Sequence, residues 1–255
     1  MQFTDTHTHL YDEAFKEDAD AAIQRAIDAG VTKMIFPDID ALTREEMFRL
    51  SGRYPENIFP ALGLHPTSVG KNWEEEFEKM LEFKSRKIFA IGETGIDLYW
   101  SKEFAEQQKN ALEKHFQLAH EMDLPLIIHS REATQAIFDV MDICRHMTTR
   151  GVFHAFSGSI ETFKRLQGYG NWYIGIGGVL TYKKASIAET IKDIPLERII
   201  LETDSPYLTP SPYRGKRNES CYIPIIANKI AEIKGCTIGE VAEITTNNAA
   251  ELFRI

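Results

Sequence analysis

The sequence predicts an α/β protein folded as one (β/α)8 TIM-type barrel, a single domain over residues 1–255. Three observations predict it. Eight short apolar runs alternate with longer amphipathic stretches. The length matches one such barrel, which takes roughly 250 residues. No G-x-G-x-x-G or G-x-x-x-x-G-K-[ST] signature follows any run, which weakens the alternative of an open, doubly wound sheet.

The apolar runs read as buried parallel strands. They are Phe3–His9, Lys33–Pro37, Ile58–Leu62, Ile88–Gly92, Leu126–His129, Val152–His154, Trp172–Gly175 and Ile199–Glu202. Between them, Asp18–Ala29 puts Ala22, Ile23, Ala26 and Ile27 on one stripe, and Gly30 is the expected stop. Thr43 with Glu46 has the spacing of a capping box. Phe104–Met122 is long and periodic and ends before Pro125. Glu132–His146 and Ile160–Leu166 continue the alternation, and Tyr222–Ile233 and Thr237–Phe253 close it. Thr237 with Glu240 is a second capping-box spacing.

The polar residues at the strand ends carry the chemistry. His7 and His9 stand at i and i+2 in Asp5-Thr6-His7-Thr8-His9, so on an extended chain both rings face the same way. Glu93 follows the fourth apolar run, where an unpartnered carboxylate is costly to bury. His129 ends the fifth run, His154 the sixth, and Asp204 follows the eighth. Each alone has a bland explanation as a packed or capping residue. Together they converge on the C-terminal rim, where barrel enzymes keep their active sites. His115, His120 and His146 fall inside helical stretches and are expected to pack or sit on the surface.

A nitrogen and carboxylate set without thiolate suits Zn²⁺, Mn²⁺, Fe, Ni or Mg²⁺. The set His7, His9, Glu93, His129, His154 and Asp204 is too large for one open tetrahedral site. The expectation is two divalent ions: His7, His9 and Asp204 on one, His129 and His154 on the other, Glu93 bridging. Water near such ions becomes acidic enough to attack at neutral pH, with Asp204 as proton acceptor. The reaction class is hydrolysis of an ester, amide or phosphoester.

The composition sets limits. Cys144, Cys221 and Cys236 are odd in number with no close pair, which argues against a disulfide framework or a cysteine zinc site. A net charge of −9 argues against gripping long nucleic acid over a whole face, so any such substrate is held locally. No apolar run approaches the roughly 20 residues that cross a bilayer, and the first residues lack the layout of a secretory signal. The expectation is a cytoplasmic monomer with no membrane association and no obligate protein partner.

The chain resembles the TatD family of metal-dependent deoxyribonucleases, within the amidohydrolase-like superfamily. The resemblance rests on Asp5-Thr6-His7-Thr8-His9-Leu10, Gly63-Leu64-His65-Pro66, Gly92-Glu93-Thr94-Gly95-Ile96-Asp97, Ile128-His129-Ser130-Arg131, His154-Ala155-Phe156-Ser157-Gly158, Leu201-Glu202-Thr203-Asp204-Ser205-Pro206-Tyr207 and Arg214-Gly215-Lys216-Arg217-Asn218-Glu219. It covers essentially the whole chain. It implies a TIM-type barrel, a divalent-metal site on the six residues named above, and hydrolysis of DNA phosphodiesters. It also implies phosphate contacts from His65 and Arg131, although Arg131 fits a structural salt bridge nearly as well. The family commonly carries proline after the Asn-Glu pair, where this chain has Ser220.

Two features stay open on sequence. Arg214, Lys216 and Arg217 can neutralise a nucleic-acid backbone or pair with nearby acids. Tyr99 and Trp100 can stack on a base or pack against the next helix. The competing activity is hydrolysis of amides or carboxylic esters, including aminoacyl esters on RNA. A non-catalytic metal scaffold gives six such ligands at a barrel's active face little purpose.

Overall fold

The structure, a computed structural model, describes residues 1–147 and 149–255. Eight parallel strands alternate with helices in chain order. These are β1 (Phe3–Asp5), α1 (Ala19–Asp28), β2 (Val31–Phe36), α2 (Arg44–Arg53), β3 (Ile58–Leu62) and α3 (Trp73–Leu81). Then come β4 (Ala90–Asp97), α4 (Ala105–Met122), β5 (Leu126–Arg131), α5 (Thr134–Ile143), β6 (Gly151–Phe153) and α6 (Ile160–Gln167). The chain ends with β7 (Trp172–Ile176), α7 (Ile187–Thr190), β8 (Ile199–Leu201), α8 (Ile223–Lys234) and α9 (Ile238–Phe253). Strand order is sequential from β1 to β8. Closure comes from the Thr6 amide donating to the Leu201 carbonyl at 2.9 Å and a parallel bridge between Thr8 and Ser205.

Side-chain alternation builds two layers. Ile35, Phe59, Ala61, Ala90, Ile127, Val152, Tyr173 and Ile200 pack together inside the barrel, and Ala249, Leu252 and Phe253 of α9 close its lower end. Their strand neighbours, such as Met34, Phe36, Ile58, Leu62, Leu126, Ile128, Ile199 and Leu201, join the larger cluster with the helices. Period-two alternation on strands buried on both faces produces this division.

Several local expectations needed correction. Strand pairing in β1 stops at Asp5, so His7 and His9 lie on the chain beyond it. There the backbone bonds alternately to β8 and β2, as with Thr8 N to the Ile35 carbonyl at 3.2 Å. β4 begins at Ala90 and runs to Asp97, so Glu93 is inside a strand and not at its end. The helix after β5 starts at Thr134 and tightens to a 3-10 turn at Cys144. α3 and α7 were not expected. α3 buries only Trp73, Phe77 and Met80 in an acidic segment, and α7 is a single four-residue turn.

The two capping-box spacings have opposite outcomes. Thr237 is extended (ψ 153°), and its hydroxyl and Glu240 cap each other reciprocally. Thr43 has a helical ψ of −16° and makes no side-chain cap bond among the described residues. A capping side chain reaches the helix amides only from extended backbone.

Candidate metal centre

The alternation that fills the barrel also aims the site. Two residues above the core layer, Ile127 leads to His129, Val152 to His154 and Ile200 to Glu202; Glu202 leads on to Asp204. β3 continues from Ala61 through Gly63 to His65. β4 is the exception. By alternation from Ala90, Glu93 would face outward, but the β4–β5 register shifts between Ile91 and Thr94. An extra residue of this kind turns the following side chains over, and Glu93 faces inward.

Closure of β8 onto β1 brings the remaining donors in. The Asp204 amide donates to the His7 carbonyl at 2.8 Å, and the His9 amide to the Ser205 carbonyl at 2.8 Å. Asp204 sits at φ 60°, a left-handed conformation uncommon outside glycine. Beneath, buried Asp5 accepts from the Thr203 hydroxyl at 2.6 Å and the Thr203 amide at 2.9 Å, tying the two chain ends together. Burial pushes the Asp5 carboxyl up to about 7. Ser220 donates to Thr8 at 3.0 Å in the same network.

The donors converge on Glu93. Its Oε2 is 3.0 Å from His7 Nε2 and 3.8 Å from His9 Nε2. Its Oε1 is 2.8 Å from His129 Nδ1, 2.9 Å from His154 Nε2 and 3.3 Å from His65 Nε2. Asp204 Oδ1 lies 3.7 Å from His7 Nε2 and 3.6 Å from His9 Nε2. His7, His9 and Asp204 form one group with ligand atoms close enough to share an ion; His65, Glu93 and His129 form another.

Most of these rings keep one nitrogen inward and offer the other to an outer partner. His129 Nε2 donates to Asp97 Oδ2 at 3.0 Å. His9 Nδ1 donates to the Tyr11 hydroxyl at 2.7 Å, which itself donates to the Pro37 carbonyl. His154 Nδ1 is 3.7 Å from Glu202 Oε1. Partners of this kind fix the tautomer and aim a lone pair at an ion. Asp97, Glu202 and Tyr11 were not singled out in the sequence. Glu202 was signalled by its position two residues past Ile200, and Asp97 by the carboxylate in Gly-Ile-Asp after Glu93.

The electrostatics fit a cation site. Burial raises the Glu93 carboxyl, but His154, His7, His65 and His129 outweigh it and hold the group well below the usual range. Burial likewise opposes ionised Asp204, and His9, His7 and His154 bring it below its ordinary value. His7 falls to about 4 through burial and the His154 ring stacked 3.9 Å from it. Burial works against a charge on His154, yet Glu93, Glu202 and Asp204 lift it to about 10. Burial raises Glu202 to about 8. His7 Nε2 and His9 Nε2 stand 3.1 Å apart, and His154 Nε2 and His129 Nδ1 3.3 Å. Inward lone pairs crowded on ionised carboxylates are what divalent cations relieve, so the donor set fits such ions.

The centre floors a cavity of about 680 Å³, with Trp100, Arg131, Tyr207 and Leu208 among its walls. His65 is on that floor. Arg131 is at the rim, its guanidinium 3.8 Å from the centre of the Tyr99 ring. The basic loop is divided. Arg217 is taken up by Asp18 at 2.7 Å and Glu219 at 2.8 Å, and Arg25 joins both acids. Arg214 lies over Tyr182 at 4.2 Å, and Lys216 over Tyr213 at 5.6 Å. Among the described residues, no helix is long and apolar enough to cross a membrane.

Comparison with known proteins agrees with this geometry. The metal-dependent hydrolase YabD of Bacillus subtilis is 37% identical over 253 residues, 98% of each chain. The 3'-5' ssDNA/RNA exonuclease TatD of Erwinia tasmaniensis is 30% identical over 259 residues, covering 98% of this chain and 99% of the relative. The crystal structure of YjjV, a TatD homologue from Escherichia coli, superposes with a TM-score of 0.91 at 32% identity, covering 99% of this chain and 98% of YjjV. A model of the TatD related DNase family matches residues 4–254, and the chain, a metal-dependent hydrolase by its relatives and its donor set, belongs to that family.

Proposed function

We propose that the chain is a two-metal nuclease that hydrolyses phosphodiester bonds at the ends of single-stranded nucleic acid, DNA foremost. The observation that carries this reading is the reach of Glu93. One carboxylate oxygen lies 3.0 Å from His7, and the other lies 2.8 Å from His129 and 2.9 Å from His154. In this reading His7, His9 and Asp204 would hold one divalent ion and His129 and His154 the other, with Glu93 shared between the two groups. Mg²⁺, Mn²⁺, Zn²⁺, Fe or Ni suits these donors. Such ions supply positive charge against the phosphate and acidify water.

The chain's own residues do the rest. Asp204 takes the proton of the attacking water as its oxygen bonds to phosphorus and the bond to the departing nucleotide oxygen breaks. His65, 3.3 Å from Glu93 Oε1, contacts the phosphate beside the second donor group. Arg131 at the cavity rim pairs with the next phosphate along the strand. Asp97 and Tyr11 hold the His129 and His9 rings in register. The 3'-5' single-strand exonuclease activity of the Erwinia relative supports a single-stranded substrate and a free 3' end.

End-labelled single-stranded DNA with Mg²⁺ or Mn²⁺ tests the reading. Stepwise shortening is expected, and Asp204→Asn, whose amide cannot take the proton, should lower kcat by about 100-fold or more at saturating metal. A folded, metal-loaded chain that leaves the strand intact while cleaving amides or esters would point to the other substrate class.

A further inference from the structure

Three of the exposed large apolar side chains, Trp100, Tyr207 and Leu208, line one cavity, the one above the donor cluster. Trp100 is 71% exposed and Tyr99 51%. Neither is spent on packing against the following helix. They stand edge to face, ring centres 5.0 Å apart, on the turn between β4 and α4. Arg131 covers the Tyr99 ring at 3.8 Å and approaches the Trp100 ring at 5.2 Å.

This cluster is fixed to the donors. Asp97 Oδ1 accepts from the Tyr99 amide at 3.0 Å and from the Trp100 amide at 3.4 Å. Its other oxygen, Oδ2, holds His129 Nε2 at 3.0 Å. Asp97 also pairs in register with Arg131, and the Leu98 amide donates to the Arg131 carbonyl at 3.0 Å. One carboxylate therefore sets both a ring of the metal centre and the backbone of the aromatic pair.

We infer that Trp100, backed by Tyr99 and Arg131, is a stacking platform for an unpaired base of the nucleotide next to the scissile phosphate. The inference rests on the phosphodiesterase reading above. An aromatic face and a guanidinium side by side match a nucleotide, which presents a π-face and a phosphate together. The match requires an unpaired base, because a base inside a duplex is already stacked on both faces. It also accounts for how a chain of net charge −9 retains a polyanion: contact is short-range and confined to the cavity mouth. Every base offers a π-face, so the platform gives a preference for unpaired strands without sequence preference.

Two measurements test it on the full metal-loaded chain. The first compares kcat/KM for a single-stranded oligothymidylate with that for an abasic oligonucleotide of the same length, which keeps the phosphodiesters and offers no aromatic face. In Trp100→Ala the ratio of the two should fall about tenfold or more, chiefly through KM, and Trp100→Phe should restore most of it. The second follows binding of a fluorescent oligothymidylate by anisotropy, in the Asp204→Asn background that prevents cleavage. There Trp100→Ala should weaken binding by a similar factor. An unchanged ratio with unchanged binding overturns the platform. Binding that depends on Trp100 in a chain that cleaves no phosphodiester keeps the platform and removes the phosphodiesterase reading.

Discussion

His115 illustrates how a residue far from the donors supports them. Its ring is fully buried in α4, donating from Nδ1 to the Ala111 carbonyl at 2.7 Å and accepting at Nε2 from the Leu64 amide at 3.1 Å. It therefore holds the backbone immediately before His65. A proton added at Nε2 would face that amide hydrogen, and burial lowers the group to about 4. An unfolded chain takes up this proton near pH 6.5, so below that value protonation favours the unfolded state until the folded ring also titrates near 4. Stability should fall by about 3 kcal/mol from this group as pH drops through that window. Urea unfolding at pH 7 and pH 4.5 should show a flatter acid limb in His115→Gln than in the parent. Asp97 acts on a donor directly. Asp97→Ala removes the acceptor that orients His129 and should weaken metal affinity by about 10- to 100-fold, read by titration with Mn²⁺.

Elements decide what single residues can reach. The strand alternation was legible, and so was the gathering of His129, His154, Glu93 and Asp204 at one rim. Sequence order and barrel handedness suffice for that. The β4 register shift was not legible, because two glycines flank Glu93-Thr94 and nothing in the composition says which face the carboxylate takes. Thr43 and Thr237 share one spacing, yet only the extended backbone at Thr237 makes a cap, and tertiary contacts set that backbone. Glu202 was not legible as a site residue, because alternation turns it the same way as Asp204 and does not tell a ligand from the carboxylate behind it. Gly175 on β7 makes its importance measurable, since a Cβ there would come 1.9 Å from Glu202 Oε2. Gly175→Ala should displace the Glu202 carboxylate from the Ala155 amide it accepts from at 2.5 Å. Thermal unfolding should register a loss of about 1–3 kcal/mol.

At the scale of the whole molecule, the electrostatics separate support from function. Arg25, Arg217, Asp18 and Glu219 neutralise one another where the loop after β8 meets α1, so the Arg217 charge is already paired. With few cations left near the cavity and a net charge of −9, substrate capture should depend only weakly on salt. The logarithm of oligonucleotide affinity against that of salt should have a slope of about −0.7 to −1.4, as expected for one or two phosphate contacts on a single strand. In the proposed reading Glu93 joins two cation sites that barrel closure assembles. Anomalous diffraction at the metal edge, from crystals grown with Mn²⁺ or Zn²⁺, tests it most directly. Two peaks flanking the Glu93 carboxylate are expected, one beside His7, His9 and Asp204 and the other beside His129 and His154; a single fully occupied peak, or peaks away from Glu93, would rule out the shared carboxylate.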